Sequence, residues 1–176
     1  MKTGFCIRMG CALVLICGSL WAASVPKPIK SRFVVGDPIW RELPVREDLQ
    51  YQYDSCWQTA VNSILENNFD VATMDKDSGY LRTTWNEGIV RLKGDWVYKI
   101  QISVKLVSVP GDARVNPRPA ATVQKVRVQV AGEVSYVNKG RVLDSFRGYD
   151  QVLLQNLFQD LQAKLGSTVG TQTIGR

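Results

Sequence analysis

The chain contains two pairs of carboxylates that could act as an acid and a base: Asp75 with Asp77, and Asp144 with Asp150. General acid–base catalysis uses such groups on either side of a reacting bond. Each pair also has a simpler role, because Asp75 and Asp77 lie in a turn sequence and Asp150 precedes a helical pattern. Neither pair adjoins a recognisable substrate motif, so the sequence favours turn and capping roles.

The other chemical groups are equally limited. The chain contains no histidine, which removes histidine relays and most zinc sites. A nucleophilic thiol needs a base beside it, so we predict that Cys56 is a small buried side chain. Gly140 and Gly148 stand alone and form no phosphate-binding loop. The sequence therefore predicts a non-enzymatic protein without a metal or a cofactor.

The segment Asp75-Lys76-Asp77-Ser78-Gly79 could be mistaken for the start of a calcium-binding loop. In such a loop the glycine would come one position later, and a bidentate glutamate would stand where this chain has Asn86. We therefore predict a hairpin turn, in which Asp and Ser bond local backbone and Gly79 adopts a positive φ.

The first residues indicate export. Lys2 and Arg8 precede an uncharged apolar run from Met9 to Val25, which is the order of a secretory signal, and small residues for cleavage follow at its end. We predict a signal peptide at residues 1–24. The alternatives are a retained membrane anchor, since the run is just long enough to cross a bilayer, and lipidation at Cys17.

Cleavage would leave Cys56 as the only cysteine, so no intrachain disulfide could form and the fold must rest on a hydrophobic core. The formal charge is +6, and loss of Lys2 and Arg8 lowers it to +4. Such a mild excess does not indicate a nucleic-acid-binding tail. In an exported protein a basic face would meet anionic lipid, polysaccharide or an acidic protein surface, or would simply maintain solubility.

Residues 25–50 are predicted to form an extended N-terminal arm, because four prolines are spaced among charged residues without a helical or alternating pattern. The arm has too many apolar side chains for a flexible linker. It therefore docks either on a partner or on the core of its own chain. The candidate partner-binding residues are Phe33, Ile39, Trp40 and Leu43.

Residues 51–166 carry the pattern of one α+β domain. Ser55 is predicted to cap a helix whose apolar face comprises Trp57, Ala60, Val61, Ile64 and Leu65. Alternating residues predict five strands, at 69–74, 80–85, 96–107, 125–136 and 141–146, and Gly132 marks a bulge or a close approach. Asp150 is predicted to cap a final helix with Leu154, Leu157, Phe158, Leu161 and Leu165 on one face.

These elements predict an antiparallel sheet of four to five strands with two helices packed on one face, a helix-grip-like fold. Residues 167–176 are predicted to be a flexible tail. The opposite face of the sheet would be open to water or to a partner. It carries the candidate basic face Arg82, Lys99, Lys105, Lys125 and Arg127, although outward basic side chains also discourage sheet aggregation.

The run Tyr53-Asp54-Ser55-Cys56-Trp57, the turn at 75–79 and the strand Tyr80-Leu81-Arg82-Thr83-Thr84-Trp85 together resemble the repeated domain of BamC and of BamC-like envelope lipoproteins. Those domains have a helix with Trp near its start, an Asp-x-x-x-Gly turn and a strand rich in Arg and Thr. The resemblance covers about residues 53–165. It implies a helix-grip domain at the inner side of the outer membrane and an arm that lies along a partner protein. BamC has a lipid anchor and two such domains, whereas this chain has room for one.

The leading hypothesis is a non-enzymatic exported envelope protein of the periplasm or the inner face of the outer membrane. It would bind an envelope protein partner, as a scaffold subunit in outer-membrane protein assembly or secretion. The alternatives are a carrier of an apolar ligand between sheet and final helix, and a lipid-headgroup or cell-wall binding domain that uses the basic face. An exposed apolar groove would favour the first, a large internal cavity the second, and clustered basic and aromatic side chains the third.

Overall fold

The computed structural model describes residues 25–91, 94–110 and 121–166. The predicted signal peptide at 1–24 and the predicted tail at 167–176 lie outside the described residues. Residues 25–32 are described by themselves: helix α1 (Lys27–Lys30) is a single turn that follows Pro26. No helix in the described ranges is long and apolar enough to cross a membrane.

From Phe33 onward the described residues form one antiparallel sheet of eight strands and two longer helices. The elements are β1 (Phe33–Val35), β2 (Trp40–Pro44), α2 (Tyr53–Glu66), β3 (Val71–Asp75), β4 (Tyr80–Thr83), β5 (Asn86–Arg91), β6 (Asp95–Pro110), β7 (Ala121–Asn138), β8 (Arg141–Asp150) and α3 (Gln151–Leu165). The predicted α+β class with an antiparallel sheet is confirmed.

The sheet has three more strands than the upper end of the predicted range. β1 and β2 come from the segment predicted as an arm, and β5 begins with Asn86-Glu87-Gly88, residues that are uncommon in strands. A domain limited to residues 51–166 would therefore lack two strands of the sheet.

Two long strands organise the sheet. β6 pairs with β7 along its whole length, from Asp95 opposite Val137 to Pro110 opposite Ala121. The far edge of β6 is taken first by β5 and then by β4, which also pairs with β3. The far edge of β7 is taken first by β2 and then by β8, and β1 pairs with the last residues of β8. The first and last strands of the described residues are therefore neighbours.

One face of the long strands is apolar and buried, as their alternation predicts. Its side chains that are at most 2% exposed are Ile100, Ile102, Val104, Leu106, Val126, Val128, Val130 and Val134. α2 contacts β6 and β7, α3 contacts β7, and the two helices contact each other. The helices contribute the buried side chains Trp57, Ala60, Val61, Ile64, Leu154, Leu157, Leu161 and Leu165.

α2 differs from its prediction at both ends. The helix begins at Tyr53, with Gln52 as an N-cap residue that makes no capping side-chain bond, so Ser55 lies inside the first turn. Leu65, predicted on the buried face, is 51% exposed. Leu65 is the penultimate residue of the helix, and the chain then turns through Asn68 at a φ of 59°.

Close approach of β1 explains two glycines. Gly132 of β7 lies opposite Gly148 of β8. A Cβ on Gly132 would lie 3.1 Å from the ring of Phe33, and a Cβ on Gly148 would lie 2.0 Å from the carbonyl oxygen of Val34. The predicted close approach at Gly132 is confirmed, and β1 is the segment that makes it.

Asp150 joins β8 to α3 and is completely buried. Its Oδ1 accepts hydrogen bonds from the N–H groups of Val152 (3.1 Å) and Leu153 (2.9 Å), which confirms the predicted cap.

The substitution Asp150→Ala is expected to lower the free energy of unfolding by about 1–2 kcal/mol, because both donors lose their acceptor. Asp150→Asn keeps an acceptor oxygen, so its free energy of unfolding should fall by less than that of Asp150→Ala. Urea unfolding at neutral pH measures both variants, and equal losses would contradict the capping explanation.

Candidate functional site

Three of the four carboxylates that could have formed acid–base pairs make local hydrogen bonds, in line with the turn and capping roles that the sequence favours. Asp75 Oδ1 accepts from the N–H of Ser78 (3.1 Å), and hydrogen bonding to Ser78 holds the pKa of Asp75 below its usual value. Asp144 Oδ1 accepts from the N–H of Ser145 (2.8 Å), and Asp150 caps α3. Gly79 has the positive φ predicted for the turn, 69°. Within the described ranges, no three His, Cys, Asp or Glu side chains are grouped as a metal site would require.

Cys56 is completely buried in α2, as predicted. Its Sγ donates to the carbonyl oxygen of Leu49 (3.4 Å). Burial raises the pKa of the Cys56 thiol, so the reactive thiolate is disfavoured. The side chain behaves as part of the core.

The candidate basic face lies on the side of the sheet away from the helices, where the register brings Lys105 opposite both Arg127 and Tyr80. Part of the face is paired with acidic groups. Glu42 of β2 contacts Lys125 at 2.6 Å and Arg127 at 3.0 Å. The hydrogen bond from Lys125 is the main reason that the pKa of Glu42 is lowered.

The pairing continues along the same face. Lys99 contacts Glu87 at 2.6 Å, and this hydrogen bond raises the pKa of Lys99. Lys105 donates to the carbonyl oxygen of Ser78. Arg82 is exposed and has no acidic partner among the described residues. Three of the five predicted basic side chains therefore contact a carboxylate, and two of those three share Glu42. Lys105 bonds a neutral carbonyl, so the positive charge of the face is only partly neutralised.

The four candidate partner-binding residues do not share one environment. Phe33 and Leu43 are buried in the core, at 4% and 2% exposure, and so are not available to a partner. Trp40 is partly exposed, and the Arg127 guanidinium lies 5.2 Å from the centre of its ring. Ile39 is 47% exposed. Of the four, only Ile39 is an exposed apolar side chain.

Ile39 lines an open groove of about 460 Å³ between β2 and the start of α3. We call this the edge groove, and its lining includes Ile39, Arg41, Tyr149, Val152, Leu154 and Gln155. Val152 is 47% exposed, like Ile39. The groove thus presents two accessible apolar side chains that are far apart in sequence.

Among the described residues that line the edge groove, Arg41 is the only charged one. Its Cζ lies 4.2 Å from the centre of the Phe158 ring, and its Nη1 donates to Gln155 Oε1. A guanidinium stacked and bonded in this way is held in place and keeps further donors for a carboxylate. The sequence did not single out Arg41, because its two contacts come from α3, more than a hundred positions later.

A larger cleft of about 730 Å³ opens at the start of α2. It is lined mainly by polar side chains that already bond to one another: Tyr53 donates to the carbonyl oxygen of Lys76, and Lys76 contacts Asp54 at 2.8 Å. Its wall ends at Ala121, where residues 111–120 lie outside the described ranges. The edge groove is therefore the better candidate site.

The space under the final helix, which a ligand carrier would need, is filled. Leu154, Leu157, Leu161 and Leu165 are each at most 2% exposed.

A scan against protein-family models and a search of curated proteins both return no match for this chain.

Proposed function

We propose that this protein is a non-enzymatic binding subunit of the bacterial cell envelope, exported to the periplasm or the inner face of the outer membrane. The domain would be a helix-grip domain of the BamC-like type, with one partner protein. The export signal and the sequence resemblance support the location. The edge groove supports the binding role, and it is the single observation on which the proposal rests.

The chemistry of the groove defines the segment that would fit. Ile39 and Val152 are about half exposed, so an apolar side chain placed between them would remove apolar surface from water on both partners. Arg41 would pair with a carboxylate next to that side chain. The expected partner therefore presents an apolar residue beside an acidic residue on an accessible segment. Binding of such a segment in the groove does not require contacts with the charged face of the sheet.

Site-directed photo-crosslinking in intact cells tests this function. A photoreactive amino acid at position 152 is expected to give one crosslinked product of defined mass, whereas the same group at exposed Val142 should not. The substitutions Ile39→Asp and Arg41→Glu should abolish that product, because the first removes the apolar contact and the second repels the acidic residue. Ile89→Asp, at another exposed apolar residue, is the matched control.

Two outcomes would overturn the proposal. One is an adduct at position 152 that contains only lipid or glycan, which would indicate a headgroup or cell-wall binding domain. The other is a protein adduct that persists in both groove variants, which would place the contact elsewhere on the surface.

A further inference from the structure

We propose that two copies of this chain associate through the exposed edge of β5, so that the two β5 strands pair in antiparallel orientation. In this register Ile89 lies opposite Ile89 of the second copy, and Glu87 lies opposite Arg91. The proposal does not depend on the edge groove, because β2 flanks β7 whereas β5 flanks β6. Ile89→Asp should therefore dissolve the dimer and leave the groove crosslink at position 152 unchanged.

The edge of β5 that faces away from β6 is available for pairing. Among the described residues, no strand pairs with this edge, and no backbone hydrogen bond from a turn or loop reaches residues 86–91. The outward N–H and C=O groups of an edge strand are a template for another strand. β5 therefore offers backbone donors and acceptors to a second copy.

β5 also lacks the features that protect other strands of this sheet from such pairing. Edge strands are usually protected by short length, by proline or by a bulge. β1 has only three residues, β2 contains Pro44, and β3 has a register shift. β5 has six residues that pair with β6 in unbroken register, and it contains neither lysine nor proline. Its edge is therefore regular enough to continue the sheet.

The glycine within β5 is covered by an aromatic ring. Gly88 lies opposite Tyr98 of β6, and a Cβ at Gly88 would lie 2.2 Å from the Tyr98 ring. An aromatic ring across a glycine of an edge strand supplies the packing that glycine lacks. Ile89, the next residue, is 56% exposed. β5 is therefore a packed edge strand with an exposed apolar side chain near its centre.

The charges of β5 select the register of the pairing. Glu87, Ile89 and Arg91 are exposed and alternate along the strand, so they share the face on which Glu87 contacts Lys99. When Ile89 lies opposite its copy, each Glu87 lies opposite an Arg91. When Gly88 lies opposite its copy instead, Glu87 lies opposite Ile89. Opposite charges across a strand pair are stabilising, so the first register is favoured.

The pairing closes at two copies. Both chains use the same edge, so the interface is isologous and leaves no edge of β5 for a third chain. On the other face of the sheet, Val90 would lie opposite Gly88 of the second copy, beside the Tyr98 ring that covers that glycine. The dimer therefore gains apolar contacts on both faces of the continued sheet.

Sedimentation equilibrium of the full chain and of two charge variants tests this dimer. The full chain is expected to reach the mass of two copies as its concentration rises. Glu87→Arg and Arg91→Glu each place like charges opposite one another, so each should raise the dissociation constant about tenfold or more. An equal mixture of the two variants should dimerise again, because every cross-strand charge pair then joins opposite charges. Arg141→Glu, at an exposed residue of β8, is the matched control and should leave the dimer unchanged.

A cysteine at position 89 tests the register without changing a charge, so it decides the question even where a charge variant destabilises the fold. Mild oxidation is expected to link two chains of Ile89→Cys, whereas Val142→Cys, at an exposed residue of β8, should stay unlinked. A full chain that remains monomeric would overturn the proposal. So would a dimer that neither charge variant weakens, a mixture that does not dimerise, or equal linking of the two cysteine variants.

Discussion

A chain that begins at Tyr51 is expected not to fold, whereas a chain that begins at Val25 should unfold cooperatively. The shorter chain lacks β1 and β2, so β7 loses its neighbour over Lys125–Gln129 and the core loses three buried side chains. Those side chains are Phe33, Leu43 and Val45, each at most 4% exposed. Circular dichroism and urea unfolding of the two chains measure the difference.

Point variants separate the loss of packing from the loss of chain length. Leu43→Ala is expected to lower the free energy of unfolding by about 2–5 kcal/mol, the usual range for truncating a fully buried leucine. Ile39→Ala, at an exposed residue four positions earlier, should change it by less than about 0.5 kcal/mol. A stable chain beginning at Tyr51, or similar losses in the two variants, would show that the segment is an arm and not part of the core.

Gly148→Ala is expected to be the most destabilising single-methyl substitution in the sheet. The new Cβ would lie 2.0 Å from the carbonyl oxygen of Val34, which is backbone and cannot rotate aside. β1 must therefore separate from β8, and Phe33 loses its place over Gly132. Overpacking typically lowers the free energy of unfolding by about 1–3 kcal/mol. Because this variant also displaces a strand with a buried aromatic side chain, we expect its loss at the upper end of that range or above it.

Gly132→Ala provides the comparison for Gly148→Ala. Its Cβ would meet the ring of Phe33 at 3.1 Å, and a ring can shift by a few tenths of an ångström. Gly132→Ala should therefore lower the free energy of unfolding by less than Gly148→Ala does, although both glycines lie in the same cross-strand pair. Thermal and urea unfolding give the order of the two variants. The reverse order would show that β1 does not hold its position against β8.

The sequence predicted the elements whose pattern is local. Alternation predicts β6 and β7, the leucine spacing predicts α3, and Asp150 at the start of that spacing predicts its cap. β1 and β2 were not recognised, because they have three and five residues and Pro38 and Pro44 stand beside or within them. These segments are strands because they pair with β8 and β7, and no pattern in their own residues predicts it.

The candidate site was only partly predictable for the same reason. Ile39 could be named from the composition of its segment, but no local pattern singles out Val152, and the two line one groove only in the folded chain. The basic face was identified from alternation, yet the contacts of Glu42 with Lys125 and Arg127 depend on the pairing of β2 with β7. Thr83 was also missed: its buried Oγ1 accepts from the N–H of Ile102 (3.0 Å) where β4 leaves β6.

The neighbouring positions of the first and last strands determine the order in which this domain can assemble. Phe33 pairs with Asp150 and Leu43 with Val126, so these pairings close loops of most of the domain, which slows folding relative to local contacts. The hairpins of β6 with β7 and of β7 with β8 join strands that are adjacent in the chain and do not wait for distant segments. The strands synthesised first are therefore expected to dock last, and an emerging chain keeps Phe33 and Leu43 exposed until the strands that pair with β1 and β2 have formed.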